Sequence, residues 1–164
     1  MIFAIVTLFP ILTYSQPTNI PVNTSGNQRE TAITVDPNDP DHLMATWNDF
    51  SISSPPYRPG YAFSTDGGKT WSTDTFDDEG FDPSCGIDNS GRAYYTYVNS
   101  GAVQISYTTD DGDNWIHQQV SSSSQNQDKP YMAVDTTGGT YDGRLYVAWV
   151  DFLSSNNNIV FFNI

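Results

Sequence analysis

Ionisable side chains recur in this chain at matching places. Arg29-Glu30, Phe81-Asp82 and Asp128-Lys129 occupy equivalent positions in three stretches about 50 residues apart. Asp49 and Asp151 are 102 positions apart, two such intervals, and Arg58, Asp77, Asp78 and Glu79 lie in loops that belong to the same end of the repeat. Carboxylates set among aromatic rings suit sugars, because hydroxyls bond Asp and Asn while sugar rings stack on Tyr and Trp. The densest acidic run is DPNDPD at 36–41. Acidic loops can hold calcium, which takes oxygen ligands. This run lacks the spacing of a calcium-binding hand, however, and its prolines read as a turn, so no metal ligands are assigned. The single cysteine, Cys85, excludes an internal disulfide framework and a multi-cysteine zinc site. It stands where the other repeats carry Ile33 and Met132, so it reads as an inert core thiol. Neither histidine serves it as a base, because His42 falls in a turn and His117 in an outer strand.

The elements that position these residues follow from three series. FSTDGGKTW (63–71) matches YTTDDGDNW (107–115), with Asp66 and Asp110 separated by 44 positions. Asp36, Asp88 and Asp135 are 52 and then 47 apart, and Trp47, Tyr97 and Trp149 are 50 and then 52 apart. Each repeat reads as four short strands divided by turn residues. In the first, strands fall near 30–35, 43–49, 60–65 and 71–76, with a Ser/Pro-rich loop at 51–59. No stretch shows helical period. Four strands per repeat of about 40–50 residues is the pattern of a propeller blade. The expected fold is therefore all-β, a propeller of four-stranded blades, with repeats at about 28–80, 81–126 and 127–164.

Composition narrows the partners. In 164 residues, 19 acidic against 6 basic side chains give a net charge of −13, which argues against nucleic acid and anionic membranes as ligands. No run reaches the roughly 18 apolar residues of a membrane-spanning helix. Residues 1–15 are nearly all apolar and end in Thr13-Tyr14-Ser15, which reads as a secretory signal with a leader at 16–27. The expected location is extracellular or on the cell surface.

Ser64-Thr65-Asp66-Gly67-Gly68-Lys69-Thr70-Trp71 resembles the Asp box, or BNR repeat, of the sialidase superfamily, and Thr108 to Trp115 is a second copy with Asn114 in place of Thr. The resemblance to secreted bacterial BNR-repeat proteins extends over about residues 28–164, including DKPYMAVD (128–135) and YDGRLYVAWVDF (141–152). Physically the box is a self-closing hairpin turn. Asp and Ser/Thr side chains bond amides of their own turn, glycine allows a positive φ, and the terminal aromatic anchors the outer strand. Ser64, Asp66, Gly68, Thr70 and Trp71, with Thr108, Asp110, Gly112 and Trp115, are thus structural residues.

The resemblance implies glycan chemistry at the end of the blades opposite the boxes. A member of the superfamily would hold a carboxylate with an arginine cluster and use an aspartate acid/base with a Tyr–Glu pair. Four arginines are present, of which Arg92 and Arg144 map to the box face; Arg29 and Arg58 remain, and Tyr57-Arg58-Pro59 only partly matches the family's Phe/Tyr-Arg-Ile-Pro motif. The candidates on the opposite face are Arg29, Glu30, Asp49, Arg58, Asp82, Asp128 and Asp151. Two functions are expected in competition: a glycan-hydrolysing or glycan-binding protein, and a non-catalytic interaction or adhesion module. Propellers close with roughly 4–8 blades, so further blades of the same chain are expected beyond three.

Overall fold

The computed structural model describes residues 18–51, 57–121, 126–152 and 158–163; the expected export signal at 1–15 lies outside them. Eleven strands and no helix occur among the described residues, in three antiparallel sheets. The first blade is β1 (Gln28–Val35), β2 (Leu43–Asp49), β3 (Arg58–Ser64) and β4 (Ser72–Thr75), paired in chain order. The second is β5 (Phe81–Ile87), β6 (Ala93–Asn99), β7 (Ala102–Thr108) and β8 (Ile116–Gln119). The third holds β9 (Gln127–Val134), β10 (Leu145–Asp151) and β11 (Asn158–Asn163). β1 packs against β5 and β5 against β9, so the first strand of each blade is the innermost. The arrangement is an incomplete β-propeller.

Every second residue of a strand faces one neighbouring blade, and the apolar residues follow that period. Met44, Tyr61 and Phe63 of the first blade meet Cys85, Tyr95 and Tyr97 of the second. Tyr94, Val103 and Ile105 of the second meet Leu145, Val147 and Trp149 of the third. Tyr95 is wholly buried, and its hydroxyl reaches the Gly60 carbonyl of the first blade at 3.3 Å. Full burial of a side chain this size contributes on the order of 2 kcal/mol. Cys85 belongs to this core, where burial pushes its thiol up to about 12, in keeping with an inert thiol.

The blades are also tied at one rim. His42, just before β2, contacts Asp36 of its own blade through Nδ1 at 3.1 Å and Asp111 of the second blade through Nε2 at 2.9 Å. Burial alone would lower the imidazole pKa, but the two carboxylates outweigh it and raise it. Beside this bridge, Tyr61 donates its hydroxyl to the Gly112 carbonyl at 3.2 Å.

Gly68 and Gly112 are equivalent in the two turns, at φ +81° and +93°, but their surroundings differ. A Cβ on Gly68 would come no closer than 3.5 Å to Trp71, whereas one on Gly112 would come 2.6 Å from the Tyr61 ring. Both alanine variants incur backbone strain of about 1–2 kcal/mol, and only Gly112→Ala adds an interblade overlap of about 1–3 kcal/mol. Urea denaturation is expected to rank Gly112→Ala clearly below Gly68→Ala in midpoint.

Candidate functional site

The two ends of each blade are built differently. At the end where β3 meets β4, Asp66 Oδ1 accepts the amides of Lys69 and Thr70, both at 2.9 Å, and Oδ2 accepts the Thr70 hydroxyl at 2.7 Å. Ser64 Oγ accepts the Gly68 amide at 2.9 Å, and Trp71 Nε1 donates to the Gly68 carbonyl at 3.0 Å. Led by the Thr70 amide, these bonds hold the Asp66 carboxyl down at about 2. The second turn repeats the pattern. Thr108 Oγ1 accepts the Gly112 amide at 3.1 Å, and Asp110 accepts the Asn114 amide at 2.9 Å and the Asn114 side-chain amide at 2.8 Å. Asn114 thus supplies the bond that Thr70 makes, which explains why either residue serves. The hydrogen bonds of these aspartates that the structure shows lie within their own turns, which they close.

At the opposite end each innermost strand carries a β-bulge. Glu30-Thr31 lie opposite the single residue Trp47, Asp82-Pro83 opposite Tyr97, and Lys129-Pro130 opposite Trp149. The first residue of each bulge has left-handed backbone: φ is +53° at Glu30, +59° at Asp82 and +51° at Lys129. That conformation normally goes to glycine, as in bulges of this type. Here it goes three times to an ionisable residue, at positions that the repeat makes equivalent. Pro83 and Pro130 fit because proline is tolerated in a sheet at a bulge.

The three side chains converge. Lys129 Nζ lies 3.2 Å from Glu30 Oε2 and 3.9 Å from Asp82 Oδ1. The Lys129 amide donates to Asp82 Oδ2 at 3.2 Å. Asn48 joins the acids: its Nδ2 donates to Glu30 Oε2 at 3.0 Å, and its Oδ1 accepts the Asp82 amide at 3.0 Å. Burial, then hydrogen bonding to Glu30 and Asp128, pushes Asp82 up to about 8, while the bond from Asp82 leads the lowering of Glu30. One proton is therefore shared, resting on Asp82 with Glu30 ionised. Such a pair can donate a proton from one member and accept one at the other.

Of the residues singled out in the sequence, Glu30, Asp82 and Asp128 come together, with Lys129 among them. Arg29 instead lies over the Phe50 ring at 4.8 Å, Arg58 pairs with Asp77 at 3.7 Å, and Asp49 turns back on the Ser51 amide at 2.8 Å. Asp151 ends β10 opposite Gln127. Arg92 and Arg144 sit at the turn end, over Tyr107 and Tyr141 at 5.1 and 4.3 Å. In the 36–41 run, Asp36 caps the Asn38 amide at 2.8 Å and Asp39 the Asp41 amide at 3.0 Å. Among the described residues no group of three or more His, Cys, Asp or Glu is placed to hold a metal ion. Asn48 escaped the sequence reading. The signal for it is a polar residue where the equivalent positions are Val98 and Val150.

Three blades about a common inner edge, with turns at one end and a charged cluster at the other, make an all-β fold of propeller type. The solved structure of the phage phi92 endosialidase is similar, with a TM-score of 0.61 and 16% sequence identity over 84% of this chain and 23% of that one. At this identity the likeness is one of fold, and the chain spans about a quarter of that protein's length. No family model matches the chain, and no curated protein does. Among the described residues no helix is long and apolar enough to cross a membrane.

Asp82 keeps its proton in the folded chain up to about pH 8, whereas an unfolded aspartate releases it near 4. The folded state therefore loses stability relative to the unfolded one as pH rises across that interval. Asp82→Asn removes this dependence. Denaturation at pH 5 and pH 8 is expected to show a smaller fall for the variant than for the unaltered protein.

Proposed function

We propose that this chain is a secreted, sialidase-like Asp-box propeller that acts on or binds extracellular glycans at its bulge end. One observation carries the reading: the same left-handed bulge is filled in three blades by an ionisable residue, and the three side chains meet. Strained backbone of this kind collects where a side chain must be aimed at a ligand. Glu30, Asp82 and Asp128 offer carboxyl groups to sugar hydroxyls, and Lys129 and Asn48 fix their positions. Asp82, protonated near neutrality, is placed to give a proton to a leaving oxygen, and ionised Glu30 to take one. The apolar run at 1–15 and the scarcity of lysine support export. The phage protein's name, an endosialidase, supports glycans as the ligand class.

Lys129 already pairs with ionised Glu30 and lies beside protonated Asp82, so the charge of Glu30 is met without a substrate. Within the glycan reading, that favours binding over hydrolysis. Glycan-array binding and fluorophore release from a panel of glycosides, sialosides included, separate the two. Binding to at least one glycan class is expected, weakened about 10-fold or more by Asp82→Asn or Glu30→Gln, with circular dichroism unchanged. Hydrolysis that Asp82→Asn lowers by about 100-fold or more assigns that residue as the proton donor. Glycan binding indifferent to both substitutions, or no binding at all, contradicts the assignment of this end as the site.

A further inference from the structure

The residue just before the second strand of each blade is basic: His42 before β2, Arg92 before β6 and Arg144 before β10. The backbone makes the three positions equivalent, since their carbonyls accept the amides of Asp36, Asp88 and Asp135 at 2.9, 3.0 and 2.9 Å. Arginine keeps its charge at every pH a folded protein meets. Histidine does not, and it stands at the seam between the first and second blades.

Both nitrogens of this imidazole face a carboxylate oxygen, Nδ1 that of Asp36 at 3.1 Å and Nε2 that of Asp111 at 2.9 Å. A neutral imidazole carries one N–H, so it donates to one acid and turns a lone pair on the other. Only the imidazolium donates to both. The ring is 14% exposed and Asp36 8%, whereas Asp111 is 49% exposed. Phe63 of β3 stacks on the ring at 6.0 Å. The same turn adds the acids Asp39 and Asp41, and the β7–β8 turn adds Asp110 and Asp113 beside Asp111. The β3–β4 turn donates its Gly67 amide to the Asp41 carbonyl at 3.0 Å and carries Asp66, bonded within its own turn, and Lys69. Asp111 also occupies costly backbone: its φ is +54°, and its equivalent in the first turn is Gly67, at +73°. Of the two turns, the one with an imidazole to meet carries the side chain.

We propose that His42 is a proton-operated clasp between the first two blades: the imidazolium fastens Asp111, and loss of the Nε2 proton frees that carboxylate while Nδ1 stays bonded to Asp36. Asp36 keeps its bond because it is the more enclosed acid and is fixed by the Asn38 amide at 2.8 Å, while Asp111, half exposed, turns to water. Although burial opposes them, the two carboxylates hold the imidazole above its usual 6.5. The clasp is therefore shut below about pH 6.5 and opens as pH rises through the raised value.

The test follows the His42 ring in the isotope-labelled full chain by long-range proton–nitrogen NMR. Both ring nitrogens are expected to be protonated at about pH 6, with a midpoint above 6.5 and a neutral form that keeps its proton on Nδ1. Asp111→Asn, whose amide meets either form of the ring, is expected to lower the midpoint. Asp111→Gly, the residue the first turn carries there, is expected to do the same and relieves the backbone, so it serves if the first variant does not fold. Stability is the second readout, taken in the Asp82→Asn background to remove that titration. There the fall in urea midpoint between about pH 6 and about pH 9 is expected to shrink by about half or more when Asp111 is replaced. A His42 midpoint at or below 6.5, a neutral ring protonated on Nε2, or a midpoint unmoved by both replacements overturns the proposal. So does a stability fall that the loss of Asp111 leaves unchanged.

Discussion

A left-handed residue at the head of each innermost strand is the constraint on which this molecule turns. An L-residue with a Cβ adopts that backbone at a cost of about 1–2 kcal/mol, yet Glu30, Asp82 and Lys129 all do so. The extra residue it introduces does two things at once. It re-aims one ionisable side chain toward its counterparts on the neighbouring inner strands. It also restores the alternation beyond it, so that the remainder of each strand presents apolar residues to the correct neighbouring blade. The residue opposite each bulge is a large aromatic, Trp47, Tyr97 or Trp149, almost fully buried. Packing of those rings, with the Lys129–Glu30 ion pair at the bulges, offsets the local strain.

The turn end solves a different problem by different means. Asp66 and Asp110 satisfy the amides of their own turns, so each hairpin closes without help from another blade. What crosses between blades there is the aromatic and the rim contact: Trp115 on Tyr61, Tyr61 to the Gly112 carbonyl, and His42 to Asp111. Strand rise separates the two ends by about 20 Å. The cluster at the bulges is therefore remote from the fastening at the turns.

Much of this was legible in the sequence because it is local. The Asp–Gly turns, the alternating strands and the spacing of Trp47, Tyr97 and Trp149 reflect physics that acts within a few residues, and the repeat supplied three readings of each. The equivalence of Arg29-Glu30, Phe81-Asp82 and Asp128-Lys129 was readable for the same reason. The bulge was not. Positive φ is expected of glycine or asparagine, and nothing in glutamate, aspartate or lysine announces it. Arg29, Arg58 and Asp49 were grouped with the site by the end of the blade they occupy. Each has a partner outside the cluster, in Phe50, Asp77 and Ser51. Asn48 was missed because its importance lies in a single departure from valine across the repeats, visible only once the register is fixed.

The claim that the bulges assemble one proton-sharing centre is tested most directly by titrating the Asp82 side-chain carboxyl carbon by NMR. A midpoint near 8 is predicted, falling when Glu30→Gln removes the neighbouring charge. A midpoint near 4, the ordinary value for an exposed aspartate, unmoved by Glu30→Gln, would show that the two acids do not meet.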